Sequence, residues 1–133
     1  MAAKKAQDVP SGVRAAVLLR DGPYCARCSV CLANVPGSVH HRRPRGMGGT
    51  RDPRSSDPRN LVSVCGSGVT GCHGWIESHR DQARAAGWLL RSLDELDSPL
   101  ITPLGTRITL AADGTRQDCW PADDRLPSEV TTP

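Results

Sequence analysis

Two pairs of cysteines, one on each side of a basic segment, constrain this chain more than any other feature. Cys25 and Cys28 are separated by two residues, and Cys65 and Cys72 by six. A Cys-x2-Cys turn presents two thiolates at the spacing of a tetrahedral zinc site, and a closed structural site needs four ligands. We therefore predict one structural Zn²⁺ held by these four cysteines, which would tie two distant segments together.

Two further cysteines leave an alternative open. Cys31 follows Cys28 at the same two-residue spacing, so these two could replace Cys25 and Cys28 as the first pair. We favour the earlier pair because Cys31 is followed by leucine and resembles the start of a strand region. Cys119 lies beside Trp120 and is expected to fill apolar space. The alternative to the whole cage is that these cysteines are inert buried thiols.

The composition favours a metal over disulfides as the stabilising element. The 133 residues fit one domain, yet they include no Phe, 13 Gly and 11 Pro, so the hydrophobic core should be thin. The first residues carry two lysines without an apolar stretch behind them, which is unlike a secretory signal. No apolar run is long enough to cross a membrane. These features predict a cytoplasmic protein, in which cysteines stay reduced and bind metals.

The net charge of +3 is unevenly distributed. Residues 40–59 contain six Arg and two Asp, whereas residues 112–133 contain five acidic residues and two Arg. Arginine makes bidentate contacts with phosphate, so Arg42, Arg43 and Arg45 are candidate ligands for a polyanion such as nucleic acid. For a charge run alone, we favour the alternative of an ordinary solvated loop.

Hydrophobic periodicity predicts a mixed α+β fold. The expected elements are a helix over 11–22, capped by Ser11 and ended by Gly22, strands over 38–41 and 60–65, a helix over 73–86 stopped by Gly87, and a hairpin that turns at Asp113-Gly114.

The adjacent histidines His40 and His41 stand directly before the arginines. Phosphodiester hydrolysis needs a base that activates water, and imidazole titrates near neutral pH. It also needs positive charge at the phosphate, which arginine or a metal ion supplies. On a strand the two histidines would point to opposite faces, although twisting near the strand end can bring both to one site. This cluster therefore favours a catalytic role.

The segments SVHHRRPRGMGG, NLVSVC and GCHGWIESHR together resemble the HNH endonuclease family. Within that family, the chain resembles small HNH proteins of bacteriophages. The resemblance covers about residues 13–90 and implies a ββα-metal fold, also called a His-Me finger, with a treble-clef-like zinc site. It places a nuclease domain over 11–90. Outside this domain, the residues themselves predict a disordered lead over 1–10, a hairpin-containing extension over 91–120 and a disordered acidic tail over 121–133.

The same resemblance implies a role for each motif residue. His40 would be a ligand of the catalytic metal, Mg²⁺ or Mn²⁺, and His41 would be the general base. Asn60 would hold the loop and orient the base, and His73 would be the second metal ligand. Cleavage of DNA would leave a 5′-phosphate and a 3′-hydroxyl. Phage relatives further suggest terminase or portal proteins as partners.

The chain departs from the family at the third metal ligand. Many relatives carry a histidine one helical turn after the Cys-His position, where this chain has Glu77. A residue four positions after His73 lies over the same helix face, and a carboxylate suits Mg²⁺. We expect Glu77 to be a possible ligand and His79 a weaker candidate. Alternatively, Glu77 pairs on the surface with Arg80 or Arg84.

Two other functions use many of the same residues. A non-catalytic zinc-ribbon module that binds DNA would need the cysteine cage and the arginines, but not both histidines and Asn60. In a third alternative, His73 joins Cys25, Cys28 and Cys65 as the fourth zinc ligand. That arrangement would leave Cys72 spare and the catalytic metal short of a ligand.

Overall fold

The structure, a computed structural model, describes residues 9–44, 53–91 and 94–122. Most of the predicted disordered lead and tail, and Arg45, lie outside the described residues. The chain has a mixed α+β fold, as predicted. Its helices are α1 (Ser11–Asp21), α2 (Gly71–Ser78) and α3 (Arg80–Ala85), and its strands are β1 (Gly37–His41), β2 (Leu61–Cys65), β3 (Leu100–Ile101), β4 (Arg107–Leu110) and β5 (Arg116–Cys119).

Strands β1 and β2 form an antiparallel hairpin that is followed by α2. The register pairs Gly37 with Cys65 and His40 with Val62. All five residues of β2 are buried, and Val62 and Val64 belong to a core cluster with Ile76 of α2. The predicted strands over 38–41 and 60–65 therefore agree with the observed hairpin to within one residue at the ends.

Helix α1 begins one residue earlier than the predicted cap implies. Pro10 is the N-cap residue, so Ser11 lies inside the first turn and makes no capping bond; the predicted capping role of Ser11 is wrong. Proline suits this place because its extended conformation leads into the helix and its carbonyl accepts from the amide of Arg14 at 2.9 Å. Gly22, with φ of 71°, ends the helix as predicted.

The last residue of α1 anchors the helix to the rest of the molecule. The buried Asp21 carboxylate accepts from the amide of Ser63 at 2.9 Å, within β2. It also pairs with Arg20 at 2.8 Å and with Arg116 of β5 at 3.2 Å. One carboxylate therefore links α1, the hairpin and the C-terminal sheet.

The predicted helix over 73–86 is in fact two helices, α2 and α3, with a break at His79. The Ser78 hydroxyl donates to the backbone oxygen of Gly74 at 2.9 Å, a back-bond that competes with the helix ladder. Gly87 follows α3 with φ of 84°, and a side chain there would collide with the backbone oxygen of Pro99. The close approach explains why glycine occupies this position.

The C-terminal extension contains one strand more than predicted. The hairpin of β4 and β5 turns at Asp113-Gly114 as expected, and β3 adds a third strand beside β4. Leu100 and Ile108 from this sheet are buried in the same core cluster as Val62 and Trp88. The extension thus contributes to the core that supports the hairpin. Among the helices in the described part of the chain, none is both long and apolar enough to cross a membrane.

Candidate metal centres

Four cysteines converge in one cluster that can hold a metal ion. The sulfur atoms of Cys25, Cys28, Cys65 and Cys72 all lie within 4.8 Å of one another. The Cys28 and Cys65 sulfurs are 3.8 Å apart. A tetrahedron with Zn–S bonds of about 2.3 Å has S–S edges of about 3.8 Å, so the cluster matches the size of a zinc site. Cys31 lies outside the cluster.

Two tight turns place these four sulfurs. In the first turn, the amide of Cys28 donates to the sulfur of Cys25 at 3.4 Å. In the second, the amide of Cys72 donates to the sulfur of Cys65 at 3.3 Å. The second turn depends on Gly66, whose φ is 86° and where a side chain would collide with the backbone oxygen of Thr70. Amide donors of this kind stabilise thiolates, the form that binds metal.

The electrostatics of the cluster also suit a bound cation. Interaction with the neighbouring Cys72 thiol lowers the pKa of Cys25 to about 4, and the same interaction raises the pKa of Cys72. Arg27 donates to the Cys72 sulfur at 3.3 Å and lies 3.7 Å from the ring centre of Trp75. A divalent cation would take the place of the shared proton, and the four soft sulfur donors fit zinc.

A second group of possible ligands lies apart from the cysteines. Ligand atoms of His40, His73 and Glu77 lie within 4.8 Å of one another. The two imidazole rings are 5.0 Å apart between centroids and inclined by 69°. His73 therefore groups with His40 and Glu77, and all four cysteines remain together. This arrangement disfavours the alternative in which His73 replaces Cys72 as a ligand of the cage.

Both histidines are held by hydrogen bonds through one ring nitrogen. Nε2 of His40 lies 2.7 Å from the backbone oxygen of Trp88, and Nδ1 of His73 lies 2.7 Å from the hydroxyl of Ser38. Burial lowers the pKa of His40 to about 3 and also lowers the pKa of His73. Both rings are therefore neutral at pH 7, which is the form that coordinates metal.

The third position is Glu77 rather than His79. Glu77 is exposed, and its Oε1 accepts from Arg80 at 2.9 Å, so it forms the predicted surface pair. Glu77 also lies near His73, as predicted for a residue on the same helix face. His79 stacks on Trp75 with ring centroids 5.0 Å apart. Because α2 ends at Ser78, His79 leaves the helix face that carries the other ligands.

Asn60 joins the two ends of the basic segment. Its side chain is fully buried. Its Oδ1 accepts from the amide of Arg43 at 2.8 Å, and its Nδ2 donates to the backbone oxygen of Ser55 at 3.0 Å. Asn60 is thus placed to hold the loop that follows His41. His41 itself is half-buried at the end of β1 and lies outside the group of three ligands.

The predicted contact of Arg42 with DNA is wrong. Its side chain is fully buried, and the guanidinium donates to four backbone oxygens at 2.6 to 3.0 Å. These oxygens belong to Arg59, Gly87, Leu96 and Ser98. A buried guanidinium whose donors are engaged in this way cannot reach a phosphate. Arg43 is half-buried, and Arg45 lies outside the described residues.

Sequence analysis missed Ser38 as a partner of His73. The signal was present, since Ser38 lies two residues before His40 and therefore on the same face of β1. Trp88 was missed because its contribution to His40 is a backbone oxygen, which no side-chain motif reveals.

Comparisons with protein-family models, with curated proteins and with solved structures find no match for this chain.

Proposed function

We propose that this protein is a metal-dependent DNA endonuclease of the HNH type. The observation that carries the proposal is the convergence of His40, His73 and Glu77 at a point separate from the cysteine cluster. A protein that only binds DNA through a zinc ribbon has no need of a second group of ligands. Two imidazoles and a carboxylate also leave room for water and phosphate around a Mg²⁺ or Mn²⁺ ion, unlike a closed cage.

The order of the elements supports a ββα-metal arrangement. Strand β1 carries His40 and His41, Asn60 directly precedes β2, and His73 lies in the first turn of α2. In this proposal, Zn²⁺ at the four cysteines is structural and joins the turn before β1 to the start of α2. The second ion is catalytic.

The chain's own residues would divide the chemistry among them. His41 would accept a proton from water, whose oxygen then forms a bond to phosphorus as the bond to the 3′-oxygen breaks. The 3′-oxygen would take up a proton from a second, solvent water and leave as a hydroxyl, so the other product would carry a 5′-phosphate. Asn60 would hold the loop beside the base. A divalent cation at the three ligands would supply positive charge for the phosphate and the leaving oxygen.

In this proposal, DNA binds to the basic segment, residues 40–59, and does not contact the side chain of Arg42. Arg43 and Arg45 are the remaining contacts that we propose in this segment. A phage origin, a role beside terminase or portal proteins in DNA packaging, and action in the host cytoplasm follow from the family resemblance alone.

Plasmid cleavage tests the proposal. We expect supercoiled DNA to be cut with Mg²⁺ or Mn²⁺ and to stay intact after mild EDTA treatment that leaves zinc in the cage. His41→Ala should abolish cleavage but retain fold, zinc and DNA affinity, because the base acts in the transition state. Arg14→Ala, an exposed change on α1, is the matched control and should cut normally. DNA binding without any metal-dependent cleavage would instead identify a non-catalytic zinc module.

A further inference from the structure

Ser38 stands between the two metal centres. It lies on β1, half-buried, on the same face as His40. Its hydroxyl is 2.8 Å from the backbone oxygen of Gly66 and 2.7 Å from Nδ1 of His73. Gly66 directly follows Cys65, so this hydroxyl connects the turn of the cysteine cluster to a ligand of the second site.

The direction of these hydrogen bonds follows from the groups involved. A hydroxyl has one proton to donate, and a backbone carbonyl can only accept. The proton of Ser38 is therefore directed to the Gly66 oxygen. The Ser38 oxygen must then accept from His73, which requires a proton on Nδ1 of His73. The lone pair of the neutral His73 ring is consequently on Nε2.

In His40 the two ring nitrogens have the opposite roles. Nε2 of His40 faces the carbonyl oxygen of Trp88 at 2.7 Å, and this carbonyl can only accept. Nε2 of His40 therefore carries the proton, and its lone pair is on Nδ1. Because His40 is almost completely buried, no water competes for the Trp88 oxygen.

We propose that Ser38 is a positioning residue that fixes His73 in its Nδ1–H tautomer, so that Nε2 of His73 and Nδ1 of His40 present their lone pairs to one ion. Free histidine favours the Nε2–H form, which would turn the wrong nitrogen of His73 into the ligand. A partner on the far ring nitrogen typically sets which nitrogen binds metal and strengthens that bond. The link through Gly66 also makes this alignment depend on the folded cysteine turn.

The proposal rests on the second metal site of the proposed function, but its first test needs neither activity nor that metal. Nitrogen-15 NMR of the ring nitrogens distinguishes the two tautomers of a neutral histidine. In the zinc-loaded protein without Mg²⁺ or Mn²⁺, we expect the Nδ1–H form for His73 and the Nε2–H form for His40. In Ser38→Ala, His73 should shift toward the Nε2–H form while His40 is unchanged.

Metal binding provides the second test. Ser38→Ala should weaken Mn²⁺ binding, followed by electron paramagnetic resonance, by roughly 10- to 100-fold. Ser38→Thr keeps the hydroxyl on a strand that tolerates β-branched residues, so it should restore both the tautomer and the affinity. Zinc content and circular dichroism of each variant serve as controls for folding.

Two results would overturn the role of Ser38. One is an Nε2–H form of His73 in the unmodified protein, and the other is an unchanged tautomer in a folded Ser38→Ala variant. Failure of the nuclease proposal looks different: the tautomers respond to Ser38 as stated, yet the unmodified protein cuts no DNA with any divalent ion. That pattern would support the role of Ser38 and would contradict the nuclease proposal.

Discussion

Arg42 and Ser98 are 56 positions apart in sequence, yet Nη2 of Arg42 donates to the backbone oxygen of Ser98 at 2.6 Å. The same guanidinium donates to the oxygen of Leu96 at 3.0 Å. The backbone continues this connection, because the amide of Leu90 donates to the oxygen of Arg42 at 2.8 Å. The end of the hairpin that carries both histidines is thus closed by the C-terminal extension.

Replacement of Arg42 should therefore affect stability rather than DNA binding. In Arg42→Met the side chain still fills space, but four backbone oxygens lose a charged donor. We expect a loss of about 3 to 5 kcal/mol in the free energy of unfolding, measured by urea denaturation. Arg14→Met on the exposed face of α1 should change it by less than about 0.5 kcal/mol. An Arg42 variant of normal stability that loses DNA affinity would support the original phosphate contact instead.

The burial of Arg42 shows where reasoning from sequence reached its limit. Arg42 stands in a run of arginines, and fully buried arginines are rare, so a solvent-facing role was the reasonable expectation. The acceptors that surround its guanidinium are backbone oxygens of Arg59, Gly87, Leu96 and Ser98. Such partners have no side-chain signature and come together only through the tertiary fold.

Other parts of the fold could be predicted from the sequence because they depend on local chemistry. Cysteine spacing indicated the cluster, and alternation of apolar residues indicated the hairpin. Strand β3 was missed because two residues are too few to show a period. The break between α2 and α3 was missed because no glycine or proline marks it; at this point the Ser78 hydroxyl donates to the backbone oxygen of Gly74.

The cysteine cluster predicts different outcomes for similar substitutions. Cys65→Ser removes one sulfur from the cluster, so we expect loss of bound zinc and unfolding of a domain whose core is thin. Cys31→Ser should keep one zinc per chain and a cooperative thermal transition. Metal analysis together with circular dichroism checks both variants. Loss of zinc from Cys31→Ser would mean that the cage uses Cys28 and Cys31 as its first pair.

Burial of His40 should make the fold sensitive to acid. Its pKa is about 3 in the folded chain, below the usual 6.5, so the unfolded chain binds a proton more readily as the pH falls. The resulting stability is complete above pH 6.5 and is lost progressively from pH 6.5 down to pH 3. Between pH 7.5 and pH 5, the titration of His40 should lower the free energy of unfolding by about 2 kcal/mol.

The contribution of His40 can be separated from that of the cysteines by comparison with His40→Gln, which has no group that titrates there. Both proteins lose stability in acid as the thiolates gain protons. The unmodified protein should lose about 2 kcal/mol more over the same pH interval. Urea denaturation at several pH values, without Mg²⁺ or Mn²⁺, measures the difference. Parallel pH profiles for the two proteins would mean that His40 is not held neutral by its surroundings.

The proposed third ligand of the second site gives the sharpest comparison, because Glu77 and His79 are close in sequence but occupy different surroundings. Glu77→Gln keeps the size of the side chain and removes its charge, so Mn²⁺ binding should weaken by at least about 10-fold and cleavage should fall with it. His79→Ala removes the ring stacked on Trp75 and its hydrogen bonds to Ser78 and Trp75, none of which involves the second site, and should leave Mn²⁺ affinity within about two-fold. Arg80→Ala serves as a further control, because it removes the exposed ion pair of Glu77, which contributes at most about 1 kcal/mol. A loss of Mn²⁺ binding in His79→Ala with none in Glu77→Gln would transfer the ligand role to His79, and it would require α2 to continue through His79 when metal binds.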